Sequence, residues 1–202
     1  MLQKIEQGAQ HRGNFPPITE LAVENTGPHF FLREARAGDA AALSALAADT
    51  FALACPAGTP AAELASCIAS QLQPEHFLQH MASVSKILLV VEQAGAIVGY
   101  SLGDRAPGPI GITEADGLAE LTRCYVRPDL HGSGAAQRLL DAMLALLTGP
   151  VRLTVSIENL RALGFYWRNG FATVGTTTFK CGKELHQDVV MVRTATPSAR
   201  DA

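Results

Sequence analysis

A chain of 202 residues, 48% of them hydrophobic, has material for one substantial core and nothing that demands a second domain. Its net charge of −3, with no run of Lys or Arg, lacks the phosphate-neutralising patch that nucleic-acid binding needs. No stretch reaches the ~18 apolar residues of a membrane span and no apolar run of signal-peptide length opens the chain, so a cytoplasmic protein with no membrane partner is expected.

Residues 1–28 are polar and punctuated by Gly13, Pro16, Pro17, Gly27 and Pro28, which suits a loose extension. Phe30 to Ala35 is the first expected strand. Asp39 is placed to cap a helix reaching about Leu53, and after the loop from Cys55 to Pro60 a second helix opens at Pro60 and runs toward Leu72. Pro74 to Val84 is a third helical piece. The apolar runs Ile87–Val91 and Ala96–Leu102 flank Gln93-Ala94-Gly95, a hairpin signal, and a Gly- and Pro-rich loop fills Gly103 to Gly117. Val151, Leu153, Val155 and Ile157 alternate with Arg152, Thr154 and Ser156, the pattern of a half-buried strand. Asn159 caps a short helix that Asn169-Gly170 ends. Phe171 to Phe179 and Asp188 to Arg193 complete the strands, and 194–202 is a tail. The four cysteines, Cys55, Cys67, Cys124 and Cys181, show neither a C-x-x-C pair nor a histidine at metal spacing; they read as free thiols, with no metal expected.

The most informative stretch runs from Glu120 to Leu147. A short strand breaks at Pro128 into the turn His131-Gly132-Ser133-Gly134-Ala135-Ala136, then re-emerges as a helix with Ala136, Leu139, Leu140, Met143, Leu144 and Leu147 on one face. N–H groups in a helix's first turn have no internal partner and carry the positive end of the dipole, so they can receive a pyrophosphate. Gly132 and Gly134 let the backbone approach closely. The P-loop is excluded because no lysine lies here, and G-x-G-x-x-G would need its third glycine at Gln137.

On these residues the chain resembles the GNAT superfamily of N-acetyltransferases, whose acetyl-CoA loop reads Gln/Arg-x-x-Gly-x-Gly/Ala. That pattern falls on His131 to Ala136, with His131 where the family usually has Gln or Arg. Ala119 to Pro128 is similar to the family's fourth strand, and Asn159, Ala162, Phe165, Tyr166, Gly170 and Phe171 match a second pattern, Asn-x-x-Ala-x-x-Phe-Tyr-x-x-x-Gly-Phe. The resemblance implies a layered α/β fold over residues 29–193, a central mixed sheet of about seven strands flanked by helices, in one domain. It implies acetyl-CoA as cosubstrate, an amine acceptor as the other partner, and admits a homodimer.

Acetyl transfer to an amine poses a proton problem, because a free alkylamine has a pKa near that of lysine, about 10.4. The resemblance makes Glu120 the candidate base and Tyr166 the candidate acid for the departing thiolate. It assigns the pantetheine contacts to the backbone around Cys124, Tyr125 and Val126, and the pyrophosphate to His131, Gly132, Ser133, Gly134, Ala135 and Ala136. Asn159 and Arg138 are candidates for the CoA arm. Each has a plainer reading: a strand-edge carboxylate, a core aromatic, a helix cap, an exposed arginine. The Cys124 thiol reads as packing rather than nucleophile. The acceptor pocket is expected from Thr50 to Pro60 and Gly103 to Gly117, where Asp104, Glu114 and Asp116 favour a cationic amine. The spacing to the last strand looks closest to polyamine acetyltransferases. Alternatives are a protein N-terminal acetyltransferase and a noncatalytic acyl-CoA binding module.

Overall fold

The computed structural model describes residues 29–56, 58–181 and 184–194; the expected extension at 1–28 and nearly all of the expected tail lie outside them. In chain order the elements are β1 (Phe31–Glu34), α1 (Ala40–Phe51), α2 (Ala61–Gln71), α3 (Pro74–Ala82), β2 (Lys86–Gln93), β3 (Ala96–Asp104), β4 (Ala119–Val126), α4 (Ala135–Leu147), β5 (Val151–Ser156), α5 (Leu160–Arg168), β6 (Ala172–Cys181) and β7 (Glu184–Arg193). They build a single seven-stranded mixed sheet in the order β1-β2-β3-β4-β5-β7-β6. This is the expected fold.

Local chemistry explains most of the boundaries. The β2–β3 hairpin turns on Ala94 and Gly95, both at positive φ (50° and 79°), which is the turn geometry that matches the twist of paired strands. Asp39 does not cap α1 as the sequence suggested. Its carboxylate instead accepts the Arg36 N–H at 2.7 Å and an ion pair from Arg33, closing a short 3₁₀ turn over Ala37–Asp39 ahead of the helix. Asn159 does cap α5, its side-chain oxygen accepting the Ala162 N–H at 3.1 Å.

Two layers cover the sheet. On one side α4 buries Leu139, Leu140, Met143 and Leu147 against Leu89, Leu121, Leu153 and Met191. Each such side chain contributes roughly 1.5–3 kcal/mol relative to exposure. Gly103 allows the helix this close, since a Cβ there would stand 2.5 Å from the Met143 sulfur. On the other side α1, α2 and α3 pack Leu43, Leu46, Leu72 and Phe77 over Leu88, Val90, Tyr100 and Leu102.

The sheet comes apart at one place. β4 and β5 are parallel neighbours paired only at Ala119↔Val151 and Glu120↔Arg152. β5 then stays with β7 along all its length, whereas β4 stays with β3 through a register shift that places Leu102 against Arg123 and Gly103 against Leu121. The strands therefore splay, and β4 from Leu121 onward has no strand partner on that edge.

Candidate active site

The splay opens into a cavity of about 540 Å³. β4 forms one wall, β5 and β7 the other, with the loop before α4 and the face of α5 at one end and the α1–α2 connection at the other. All but three of the candidate site residues line it: Glu120, Cys124, Tyr125, Val126, His131, Gly132, Gly134, Ala136, Asn159 and Tyr166 are on the wall, while Ser133, Ala135 and Arg138 are not. Among the described residues no helix is long and apolar enough to cross a membrane.

At the α4 end, Gly132 and Gly134 take positive φ (83° and 92°) and a Cβ on either would meet nothing within 4 Å, so the loop is open toward the cavity. Not every amide in the loop is available. The His131 N–H donates to Pro128 O at 3.2 Å and the Ser133 N–H to Leu130 O at 3.1 Å, while those of Gly132, Gly134, Ala136 and Gln137 find no acceptor among the described residues. Free amides of alternate loop residues followed by a helix's first turn are the donor set that a pyrophosphate matches. The residues fit the group.

The His131 ring is engaged on the strand, Nε2 meeting the Val126 carbonyl oxygen at 3.1 Å. It also contacts Arg161, and its pKa is held below the usual imidazole value by burial first and then by that guanidinium. Arg161 stands exposed on the cavity wall beside the loop and was not singled out from sequence. Asn159 uses both ends of its amide, the oxygen in the α5 cap and the nitrogen donating to Leu53 O at 3.3 Å. Its helix-capping role is thereby accounted for.

Where the strands part, the Arg152 guanidinium donates from Nε (2.9 Å) and Nη2 (2.8 Å) to a single oxygen of Glu120, Oε2. The Glu120 Oε1 has no hydrogen bond among the described residues. The alternation of β5 suggested a solvated polar face for Arg152, yet its side chain is 1% exposed. It is buried because it also donates to the carbonyls of Ala115 (3.2 Å) and Gly108 (2.5 Å) and sits 3.5 Å from Asp116, tying down the loop between β3 and β4. That loop is therefore a clasp. Asp104, Glu114 and Asp116 do not line the cavity as expected: Asp104 pairs with Lys86, and Asp116 accepts the Ile110 and Gly111 N–H groups.

Tyr166 lies between the two ends, 9% exposed, its ring held by Phe165 and Phe171 at centroid distances of 5.3 and 5.5 Å. Burial, reinforced by the neighbouring Cys124 and Tyr125, pushes its phenol well above the usual value, so it stays protonated. Burial also pushes the Cys124 thiol up to about 12, which makes it a packing group and not a nucleophile. Of the cysteines read as free thiols, Cys55 and Cys124 are free, whereas Cys67 is disulfide-bonded.

The α1–α2 end carries a carboxylate that no motif singled out. Asp188 on β7, opposite Ser156 on β5, reaches the cavity, and burial raises its pKa to about 6 against a small opposing effect of His186.

The comparisons with known proteins agree with this architecture. Residues 60–171 match the model of the Acetyltransferase (GNAT) family. The protein belongs to the GNAT family. It is 36% identical over 159 residues, 77% of this chain and 97% of the relative, to an uncharacterized N-acetyltransferase of Mycobacterium tuberculosis strain H37Rv, and equally to one of Mycobacterium bovis. Among solved structures, the PaiA N-acetyltransferase of Thermoplasma acidophilum in complex with coenzyme A superposes with TM-score 0.68 at 18% identity, covering 83% of this chain and 99% of that one. The ribosomal-protein-S18-alanine N-acetyltransferase of Escherichia coli gives 0.61 at 13%, covering 86% and 99%. At these identities the structures speak for the fold. The family membership makes the chain an acetyl-CoA dependent N-acetyltransferase.

Proposed function

We propose that this GNAT enzyme acetylates the amine of a small molecule by direct attack, with both partners held in the cleft between β4 and β5. The observation that carries this reading is the splay itself: strand pairing stops at Glu120↔Arg152, and an open amide loop, an unengaged carboxylate oxygen and a buried phenol all border the same cavity. Acetyl-CoA supplies an activated acyl group on a sulfur leaving group.

The amides of Gly132, Gly134, Ala136 and Gln137 hold the pyrophosphate, with Arg161 adding charge at the mouth, and the unpaired edge of β4 from Cys124 to Val126 offers backbone groups to the pantetheine arm. Glu120 takes the amine proton at Oε1, directly or through a water, while Arg152 fixes the carboxylate through Oε2. Tyr166 delivers its phenolic proton to the departing sulfur. A direct transfer needs no protein nucleophile, and the high pKa of the Cys124 thiol agrees with that. Asp188 favours a cationic amine, which is common ground with polyamine substrates.

Glu120→Gln tests the base. It should lower kcat/KM at least tenfold near neutral pH and remove the acidic limb of the pH profile while acetyl-CoA affinity is preserved. An intact rate and profile would assign the proton to another group.

A further inference from the structure

The cavity wall carries two charged side chains that find no partner among the described residues. Arg123 on β4 lines the cavity, its side chain donates no hydrogen bond and joins no ion pair among the described residues, and its Nη1 is buried without a partner. Asp188 on β7 lines the same cavity, likewise without a hydrogen bond or ion pair among the described residues. The two do not bridge each other.

They share a face of the sheet. Arg123 lies opposite Leu102, whose side chain belongs to the layer under α1 to α3, and its charge reaches His80 on α3 and Tyr125 beside it. Asp188 acts electrostatically on Tyr125 and on Cys55 of the α1–α2 connection, so both charges bear on the Tyr125 ring. His186, two residues before Asp188 on the same face, also lines the cavity and keeps its Nε2 buried without a partner. Three other sheltered cations are answered by carboxylates: Arg33 by Asp39 and Glu92, Lys86 by Asp104, Arg152 by Glu120. A partly buried guanidinium without an anion is costly, and a site that keeps one is shaped for a ligand that supplies the anion.

Resting on the acyltransferase reading above, we infer that the acceptor carries a carboxylate as well as its amine, the carboxylate seated at Arg123 and the ammonium end drawn in by Asp188. The acceptor class is then an amino acid or a close relative, and a plain polyamine lacks one of the two required groups. Arg123 selects, and Asp188 draws the cationic end into the cavity.

The test compares matched acceptors with the purified enzyme: α-amino acids against their carboxamides, and ω-amino acids against alkylamines of equal length, with thiol release as readout. The inference expects the carboxylate-bearing member of the best pair to be favoured at least tenfold in kcat/KM. Arg123→Gln should remove that preference chiefly through KM, leaving the amide or alkylamine rate and acetyl-CoA affinity unchanged, and Arg123→Lys should restore part of it. Asp188→Asn should raise KM for both members. Equal or better use of amides, alkylamines or peptides by wild type would overturn the inference while leaving the acyltransferase intact, as would an Arg123→Gln loss that falls equally on both members. If wild type acetylates no amine or peptide, the acyltransferase reading falls and this inference with it.

Discussion

Arg152 holds Glu120 by one carboxylate oxygen only, with both donated hydrogen bonds converging on Oε2. Because Glu120↔Arg152 is also the last paired position between β4 and β5, this contact sits at the vertex of the cleft. It joins fold to chemistry: the same guanidinium that ends the strand pairing aims the candidate base and clasps the loop between β3 and β4 through Ala115 and Gly108.

Removing Arg152 should therefore cost both stability and activity. Arg152→Ala leaves Glu120 and two carbonyls without their donor, and should destabilise the protein by about 3–5 kcal/mol in denaturant unfolding. Arg152→Met with Glu120→Gln should be more stable than Arg152→Met alone, because the double variant removes the Glu120 charge that Arg152→Met would leave unpaired. Additive losses in that cycle would mean the pair is not coupled.

Much of this was legible in the sequence. The element order, the hairpin at Ala94-Gly95, the Asn159 cap and the apolar stripe of α4 follow from local periodicity and turn chemistry, which a single chain displays directly. The loop at His131 to Ala136 was found by its glycines. What could not be read was tertiary: Arg152 alternates like a solvated strand residue and is buried by partners from a distant loop, and Asp188 gains its position only when β7 pairs between β5 and β6. Asp104, Glu114 and Asp116 misled for the same reason, since a loop's composition does not say which way its carboxylates face.

The amide loop gives a clean affinity test. Gly134 sits at φ 92°, a conformation that a β-branched residue strains to adopt. Gly134→Val should weaken acetyl-CoA at least tenfold by calorimetry, about 1.4 kcal/mol, while thermal unfolding shows the fold retained. Unchanged affinity in the folded variant would move the pyrophosphate elsewhere.

Asp188 predicts a pH-dependent stability difference with a definite sign. Its pKa is raised from 3.8 to about 6 in the folded protein, so the ionised carboxylate opposes folding, fully above pH 6 and not at all below 3.8. Asp188→Asn should then raise the melting temperature at pH 7, and the gain should shrink between pH 6 and 4 and vanish below. His186, Cys55 and Tyr125 surround the group electrostatically, and of these His186 opposes the shift. A gain independent of pH would show that ionisation of Asp188 is not the cause.

If acetyl transfer takes place in the β4–β5 cleft with Tyr166 as the acid, the single-turnover rate of Tyr166→Phe reads it out. Phenylalanine keeps the packing against Phe165 and Phe171 and removes only the phenolic proton. Tyr166→Phe should keep acetyl-CoA affinity close to wild type and show a single-turnover transfer rate reduced ~10²-fold or more, the usual scale of general-acid contributions. Equal single-turnover rates for the two proteins would contradict that role for Tyr166.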